Sequence, residues 1–328
     1  MQKQNSASIS DSILELKDIS KTYKTDVFKK KKSVLENLSL KLKSGLCTGL
    51  LGHNGAGKTT TIKIILQLVE ADQGSLFFNA KTLTRRDKVF FGYMAETNKL
   101  AENLSCEESL FQHLMLMNTK ISRNDAKKMV QNTLETINLV EHKKKKIREL
   151  SKGMARRVAW GMATIHKPTF LILDEPFSGL DPWGRIQMEG WIKSLLNSGC
   201  SILLSTHELS TIETLCDEIY ILNRGKVVYS SAETSPNLPS EHQKMLINKF
   251  YLKISGCDEL KFKMLIKDKI LPEYYSLEQV GFSWTFGFNE YENALSWLRY
   301  AVSSQWLVIS FEQKKRFDNH ELLKFFKN

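Results

Sequence analysis

Residues Gly52-His53-Asn54-Gly55-Ala56-Gly57-Lys58-Thr59 read G-x-x-x-x-G-K-T, and no other feature of the chain constrains its fold as strongly. In such a loop successive backbone N–H groups converge on phosphate oxygens. Glycines are needed because a side chain would block that approach. Lys58 reaches the β- and γ-phosphates as a point charge, and the Thr59 hydroxyl is placed to hold Mg²⁺. The flanks agree. Residues 46–51 form a short apolar run of strand character, and residues 60–68 carry apolar side chains at helical spacing. The loop therefore joins a buried strand to a helix whose N-terminus favours anions. This makes Gly52 through Thr60 the phosphate-binding candidates.

A second apolar run, Phe170-Leu171-Ile172-Leu173, ends in Asp174-Glu175. It reads as a buried parallel strand delivering two acids at its carboxyl end, where ligands sit in open α/β sheets. Asp174 is placed to hold Mg²⁺. Glu175 is the candidate to polarise an attacking water, since one carboxylate cannot readily do both jobs. Upstream, Leu150-Ser151-Lys152-Gly153-Met154 precedes a helix-patterned stretch, and a serine hydroxyl with a glycine N–H at a helix start makes an anion site.

With these motifs in this order, the chain resembles the nucleotide-binding subunit of ATP-binding cassette (ABC) transporters over roughly residues 12–232. The resemblance implies a P-loop NTPase fold of the α/β class with antiparallel and helical subdomains. It implies ATP and Mg²⁺ as ligands and ATP hydrolysis as the activity. It also implies roles residue by residue. Tyr23 matches the aromatic that stacks on adenine, and Ser151 and Gly153 match the signature that faces the γ-phosphate held by an opposite subunit. Asp181, in Ser178-Gly179-Leu180-Asp181, matches the loop that crosses the dimer interface. His207, in Ser205-Thr206-His207, matches the switch histidine. The chain departs from the family at two places. Glu96 stands where a glutamine is common; its carboxylate can still bind Mg²⁺ or water but donates no hydrogen bond when ionised. Lys152 and Met154 replace a glycine and a glutamine of the signature.

One copy of each motif implies pairing with a second ABC ATPase subunit, a second copy of this chain in the simplest case, to complete two ATP sites. No apolar stretch approaches the roughly 20 residues of a membrane span, and residues 1–12 are polar without a signal-peptide core. The expected partner is a separate polytopic permease, the expected location the cytoplasmic face of the cell membrane, and the expected direction export. Five scattered cysteines include no CxxC pair, which argues against a disulfide framework or a zinc site. The net charge of +11 gathers partly in lysine runs at 29–32, read as a loop between early strands, and at 143–146. Without aromatic interleaving or a reader motif, these runs do not point to nucleic acid. The alternatives are a soluble ABC-type ATPase acting on ribosomes or nucleic acid, and a weakly hydrolytic regulatory cassette.

The domain reading places the ATPase at 1–232, with the helical subdomain at about 97–165, where Ser105 with Glu108 fits a capping box. A linker at 233–249 follows. An accessory α+β domain at 250–328 shows the order βαββαβ, which suggests a ferredoxin-like fold.

Overall fold

The structure, a computed structural model, describes residues 12–25, 30–97, 99–118, 120–231, 246–255, 274, 276–280, 283–288, 290–304 and 306–317. The chain divides into two compact units, Met1–Leu238 and Pro239–Asn328. In the first, β1 (Ser12–Thr25) pairs antiparallel with β2 (Lys30–Lys43), and β3 (Cys47–Leu51) leads through the glycine loop into α1 (Lys58–Ile65). Strands β4 (Gln73–Phe78), β5 (Lys81–Thr82) and β6 (Phe91–Met94) follow, then helices α2 (Cys106–Met117), α3 (Arg123–Thr136) and α4 (Lys152–Thr164). The unit closes with β7 (Phe170–Asp174), α5 (Pro182–Asn197), β8 (Ser201–Thr206), α6 (Leu209–Leu215), β9 (Glu218–Asn223) and β10 (Lys226–Ser230).

Six of these strands form one sheet in the order β10-β9-β3-β8-β7-β6, parallel except for the terminal β9–β10 hairpin. Every residue of β3, β7 and β8 is buried, as expected of strands covered on both faces. The two faces feed two cores. Phe170 and Ile172 of β7 join Leu50, Ile62, Leu203 and the leucines of β1 and β2; Leu171 and Leu173 join Leu110, Val158, Trp160 and Ile192 on the helical side. This is the period-two alternation of a strand dividing its side chains between layers. The antiparallel sheet, β2-β1-β4-β5, covers the first of these cores.

The helical layer follows its local sequence closely. Ser105 Oγ accepts from Glu108 N at 3.2 Å while Glu108 Oε2 accepts from Ser105 N at 2.8 Å, so the capping box forms. Ala126, Val130, Leu134 and Ile137 bury one stripe of α3 and its C-cap, at i, i+4, i+8 and i+11 spacing. On α2, Leu114 is buried while Leu116 is 79% exposed.

Two details correct the sequence reading. Residues 30–32 are the first residues of β2, not a loop: Lys32 pairs with Tyr23 and Lys30 with Thr25. Lysines are tolerated there because β2 is an edge strand, where charge discourages further pairing. Helix α1 ends at Ile65, short of residue 68, because Gln67 turns to positive φ (51°) and leaves Leu68 exposed.

The second unit has β11 (Leu246–Ser255), β12 (Ser276–Val280), β13 (Ser283–Phe288), α7 (Tyr291–Ser303) and β14 (Leu307–Phe317) in an antiparallel sheet ordered β12-β13-β11-β14. Strand β11 begins four residues before the expected domain start at 250, and β14, the last strand of the expected order, runs to Phe317. The first helix of the expected βαββαβ order, at 258–267, and most of the linker expected at 233–249 lie outside the described residues. Trp297 of α7 packs on Phe286, ring centroids 4.4 Å apart, in a core with Leu252, Ile254 and Phe288.

One turn braces the glycine loop. Arg224 and Gly225, between β9 and β10, both have positive φ (47° and 79°), as a two-residue hairpin turn of the primed type requires. Gly225 N donates to Ala56 O at 2.9 Å and its carbonyl accepts from Glu36 N at 3.0 Å. A Cβ there would lie 2.2 Å from Val34 O. We expect Gly225→Ala to cost about 1–2 kcal/mol from backbone conformation alone. At about 2–4 °C per kcal/mol for a unit of this size, thermal unfolding should shift down by at least about 2 °C. An unchanged midpoint would show that this turn does not press on β2.

Between α2 and α4, His113 and His166 lie with ring centroids 6.0 Å apart, and burial lowers both pKa values. The folded chain therefore favours neutral imidazoles. The unfolded chain binds more protons below about pH 6.5, so this stability is complete above that value and lost as pH falls through it. Melting temperature should drop between pH 7 and 5.5, and His113→Phe should flatten part of that slope. A slope identical in His113→Phe and the parent would assign the pH dependence elsewhere.

Candidate functional site

Strand order explains why distant segments meet. Because β8 lies between β3 and β7, and β6 lies beyond β7, four parallel strands release their chains side by side at one sheet edge. The glycine loop leaves β3, Glu175 leaves β7, His207 leaves β8 and Glu96 leaves β6. A cleft of about 300 Å³ results, lined by Val34, His53, Asn54, Gly55, Gly57, Lys58, Thr59, Thr60, Glu96 and Glu175.

Within the loop, Gly57 caps α1 at φ 112°, and a Cβ there would lie 2.7 Å from Leu35 Cδ2. Only glycine fits. Gly52 and Ala56 are buried behind the cleft: Gly52 O accepts from Lys58 Nζ at 2.6 Å, and Ala56 O from Gly225. His53 reaches back to Asn223, Nε2 to Oδ1 at 3.0 Å.

The acids are held individually. Asp174, fully enclosed, accepts from Thr59 Oγ1 at 3.3 Å on one oxygen and from Ser205 Oγ on the other. Glu175 adopts positive φ (47°), with its N–H on Ser205 O at 3.1 Å and its carbonyl accepting from Arg156. Its Oε1 lies 3.4 Å from Lys58 Nζ and 3.0 Å from His207 Nδ1. Burial, with the charges of Asp174 and Glu96, pushes the Tyr93 phenol up to about 12, so it stays protonated beside these acids. Thr59, Asp174 and Glu96 offer only hard oxygen donors in or beside the cleft. That set fits Mg²⁺, which takes one or two protein carboxylates and completes its shell with phosphate and water.

Ser151, Gly153 and Asp181 are not in this cleft. They line another, of about 400 Å³, between α4 and α5, together with Lys152, Arg157 and Gly179. Ser151 caps α4, accepting from Met154 N at 3.2 Å; Asp181 caps α5, accepting from Gly184 N at 2.7 Å. A Cβ on Gly153 would meet nothing, so its backbone faces open space. Tyr23 does not line the glycine-loop cleft either. It sits on β1 opposite Lys32, 37% exposed, with Lys21 Nζ 5.7 Å from its ring centroid.

Two residues of the site escaped the motif reading. Ser205 was visible only as a neighbour of His207, with no role of its own. Arg156 falls on the buried stripe of α4 with Ala159, Trp160 and Ala163, and a charged residue in an apolar stripe was the available signal. Burial lowers its pKa, against the opposing pull of Glu96, Asp174 and Glu175.

Comparison with known proteins agrees with this geometry. The ABC transporter family matches residues 35–178. The chain is 33% identical to the bacitracin transport ATP-binding protein BcrA of Bacillus licheniformis over 82% of its own length and 83% of that protein. It is 37% identical to the uncharacterized ABC transporter ATP-binding protein YhaQ of Bacillus subtilis (strain 168) over 59% of its length, spanning 64% of that relative. A solved ATP-binding subunit of an ABC transporter superposes with TM-score 0.59 at 32% identity, covering 68% of this chain and 90% of the other. The chain belongs to the ABC transporter family, as one of its ATP-binding, ATP-hydrolysing subunits.

Proposed function

We propose that two copies of this chain bind ATP between them and drive export through a separate membrane subunit. One observation carries the reading: the glycine-loop cleft and the Ser151–Gly153–Asp181 cleft share no lining residue, so each holds half of the required groups. A second copy brings its Ser151 and Gly153 to the phosphates held by the first. The relative named for bacitracin transport supports an exported cargo. Among the described residues no helix is long and apolar enough to cross a membrane, which supports a permease supplied by another chain and a peripheral position on its cytoplasmic face. The strand order of the second unit supports a ferredoxin-like appendage.

In this mechanism the backbone N–H groups from Asn54 to Thr60 receive the phosphates at the start of α1, and Tyr23 offers its ring to adenine. Lys58 moves from Gly52 O and Glu175 to the β- and γ-phosphates. Thr59 and Asp174, with Glu96, would hold Mg²⁺, whose charge neutralises the phosphate oxygens when bound. Glu175 accepts the proton of the attacking water, and His207 steadies the Glu175 carboxylate and faces the γ-phosphate. ATP closes the pair and hydrolysis reopens it, which shifts the permease between two access states.

Two measurements test this. Glu175→Gln should retain ATP affinity while turnover falls about 10²–10⁴-fold; parent-like turnover removes Glu175 from the role of base. Affinity purification from solubilised native membranes should recover a polytopic membrane protein with this chain. Recovery of ribosomal proteins or nucleic acid instead would replace the transport reading with a soluble ATPase.

A further inference from the structure

Arg156 touches no group that the proposed chemistry uses directly, yet it is among the most buried charges in the first unit, at 7% exposure. All its hydrogen bonds go to main-chain carbonyls, and the carbonyls belong to two loops. Nε donates to Pro176 O at 3.1 Å and Nη2 to Glu175 O; Nη1 donates to Ala95 O at 3.2 Å and Glu96 O at 2.5 Å. One loop carries the acid at the end of β7 and the other the acid at the end of β6. We propose that Arg156 is a positioning residue for hydrolysis, fixing Glu175 and Glu96 to helix α4. The proposal rests on the reading of Glu175 as the base.

The physical case has three steps. First, only a guanidinium presents enough donors in a planar fork to hold four carbonyls on two separate segments; an ammonium is a compact point charge and reaches fewer. Second, Glu175 sits at φ 47°, a conformation that a non-glycine residue holds only when its surroundings over-determine it. Its N–H is tied to Ser205 O and its carbonyl to Arg156, so these two bonds set where the side chain leaves the backbone. Without the guanidinium the peptide is free to turn, and the carboxylate leaves its place beside Lys58 and His207. Third, α4 is packed as a rigid part of the helical layer. Trp160 stacks on Trp191 of α5 at 5.6 Å between centroids, and a Cβ on Gly161 would sit 3.0 Å from Leu110 of α2 and from Thr133 of α3. The same helix begins at Ser151. A displacement of the helical layer thus reaches Glu175 and Glu96 through one side chain, and so does engagement of Ser151 by the opposite copy.

The test compares Arg156→Gln, Arg156→Lys and Arg156→Ala with Glu175→Gln in the full chain. ATP affinity, kcat, KM, melting temperature and recovery by added guanidinium salt at non-denaturing concentration are measured on each. Because a displacement of about 1 Å in a catalytic group costs up to about 100-fold, kcat of Arg156→Gln should fall about 10–100-fold with ATP affinity changed by less than about threefold. Arg156→Lys should lie between it and the parent, and guanidinium should restore part of kcat in Arg156→Ala. A folded Arg156→Gln protein with parent-like kcat overturns the proposal. So does a kcat loss that tracks equal loss of ATP affinity and folded fraction with no recovery by guanidinium, since that pattern marks a structural role alone. Parent-like turnover in Glu175→Gln would instead sink the base assignment, whatever the Arg156 variants do.

Discussion

The placement of β8 between β3 and β7 is the constraint on which the site depends. Strand β8 carries no phosphate-binding loop, but its carbonyls and hydroxyl at Ser205 hold Asp174 and the backbone of Glu175, and Gly52 N donates to Thr206 O at 3.3 Å. Register does the rest: Leu51 stands beside Thr206, and Asp174 beside Ser205. A one-residue slip in either pairing would exchange the faces of the strand and move the acids away from Thr59. Burial on both faces, which forces these strands to be apolar throughout, is therefore also what fixes the geometry of the polar groups at their ends.

Where function required a residue type at a fixed spacing, the chain could be read directly. The glycine loop, the apolar strand ending in Asp174 and Glu175, and the capping box at Ser105 are determined by neighbours within a few positions, and the structure shows each. Features that depend on long-range placement were not legible. Arg156 reads as one more basic residue on an amphipathic helix until the carbonyls of residues 95, 96, 175 and 176 are seen around it. The lysines at 30–32 looked like a loop because charge runs often are, whereas edge position in an antiparallel sheet decided their conformation. Gly225 likewise acts at long range, since its close approach to Val34 and its bond to Ala56 join the late hairpin to early segments of the unit.

Division of the polar groups between two clefts has an energetic consequence. Ser151 and Asp181 already spend an oxygen each in capping α4 and α5, so both clefts hold their groups in place before any partner arrives. Such pre-organisation lowers the ordering cost of association, and it leaves the free N–H groups at the start of α4 with Lys152 and Arg157 as a positive surface. In the proposed pair a polyphosphate held on the opposite copy supplies the complementary charge. In the proposed cycle the affinity of the two copies therefore follows the charge of the nucleotide, strong for the triphosphate and weaker once the γ-phosphate departs.

The same electrostatics governs Glu175, the base of the proposed mechanism. In the structure Lys58 is shared among Gly52 O, His53 O and Glu175 Oε1, an ammonium between two dipoles and one carboxylate. Triphosphate oxygens carry several negative charges and lie where the loop N–H groups converge, so they outcompete a single carboxylate for that ammonium. When Lys58 turns to the phosphates in the proposed cycle, Glu175 Oε1 keeps its bond to His207, which holds that oxygen in place. In that reading ATP frees one side of the Glu175 carboxylate in the same step that brings the γ-phosphate into the cleft. With Lys58 left on Glu175, Oε1 is shared between an ammonium and an imidazole, and the carboxylate is not free to face a water.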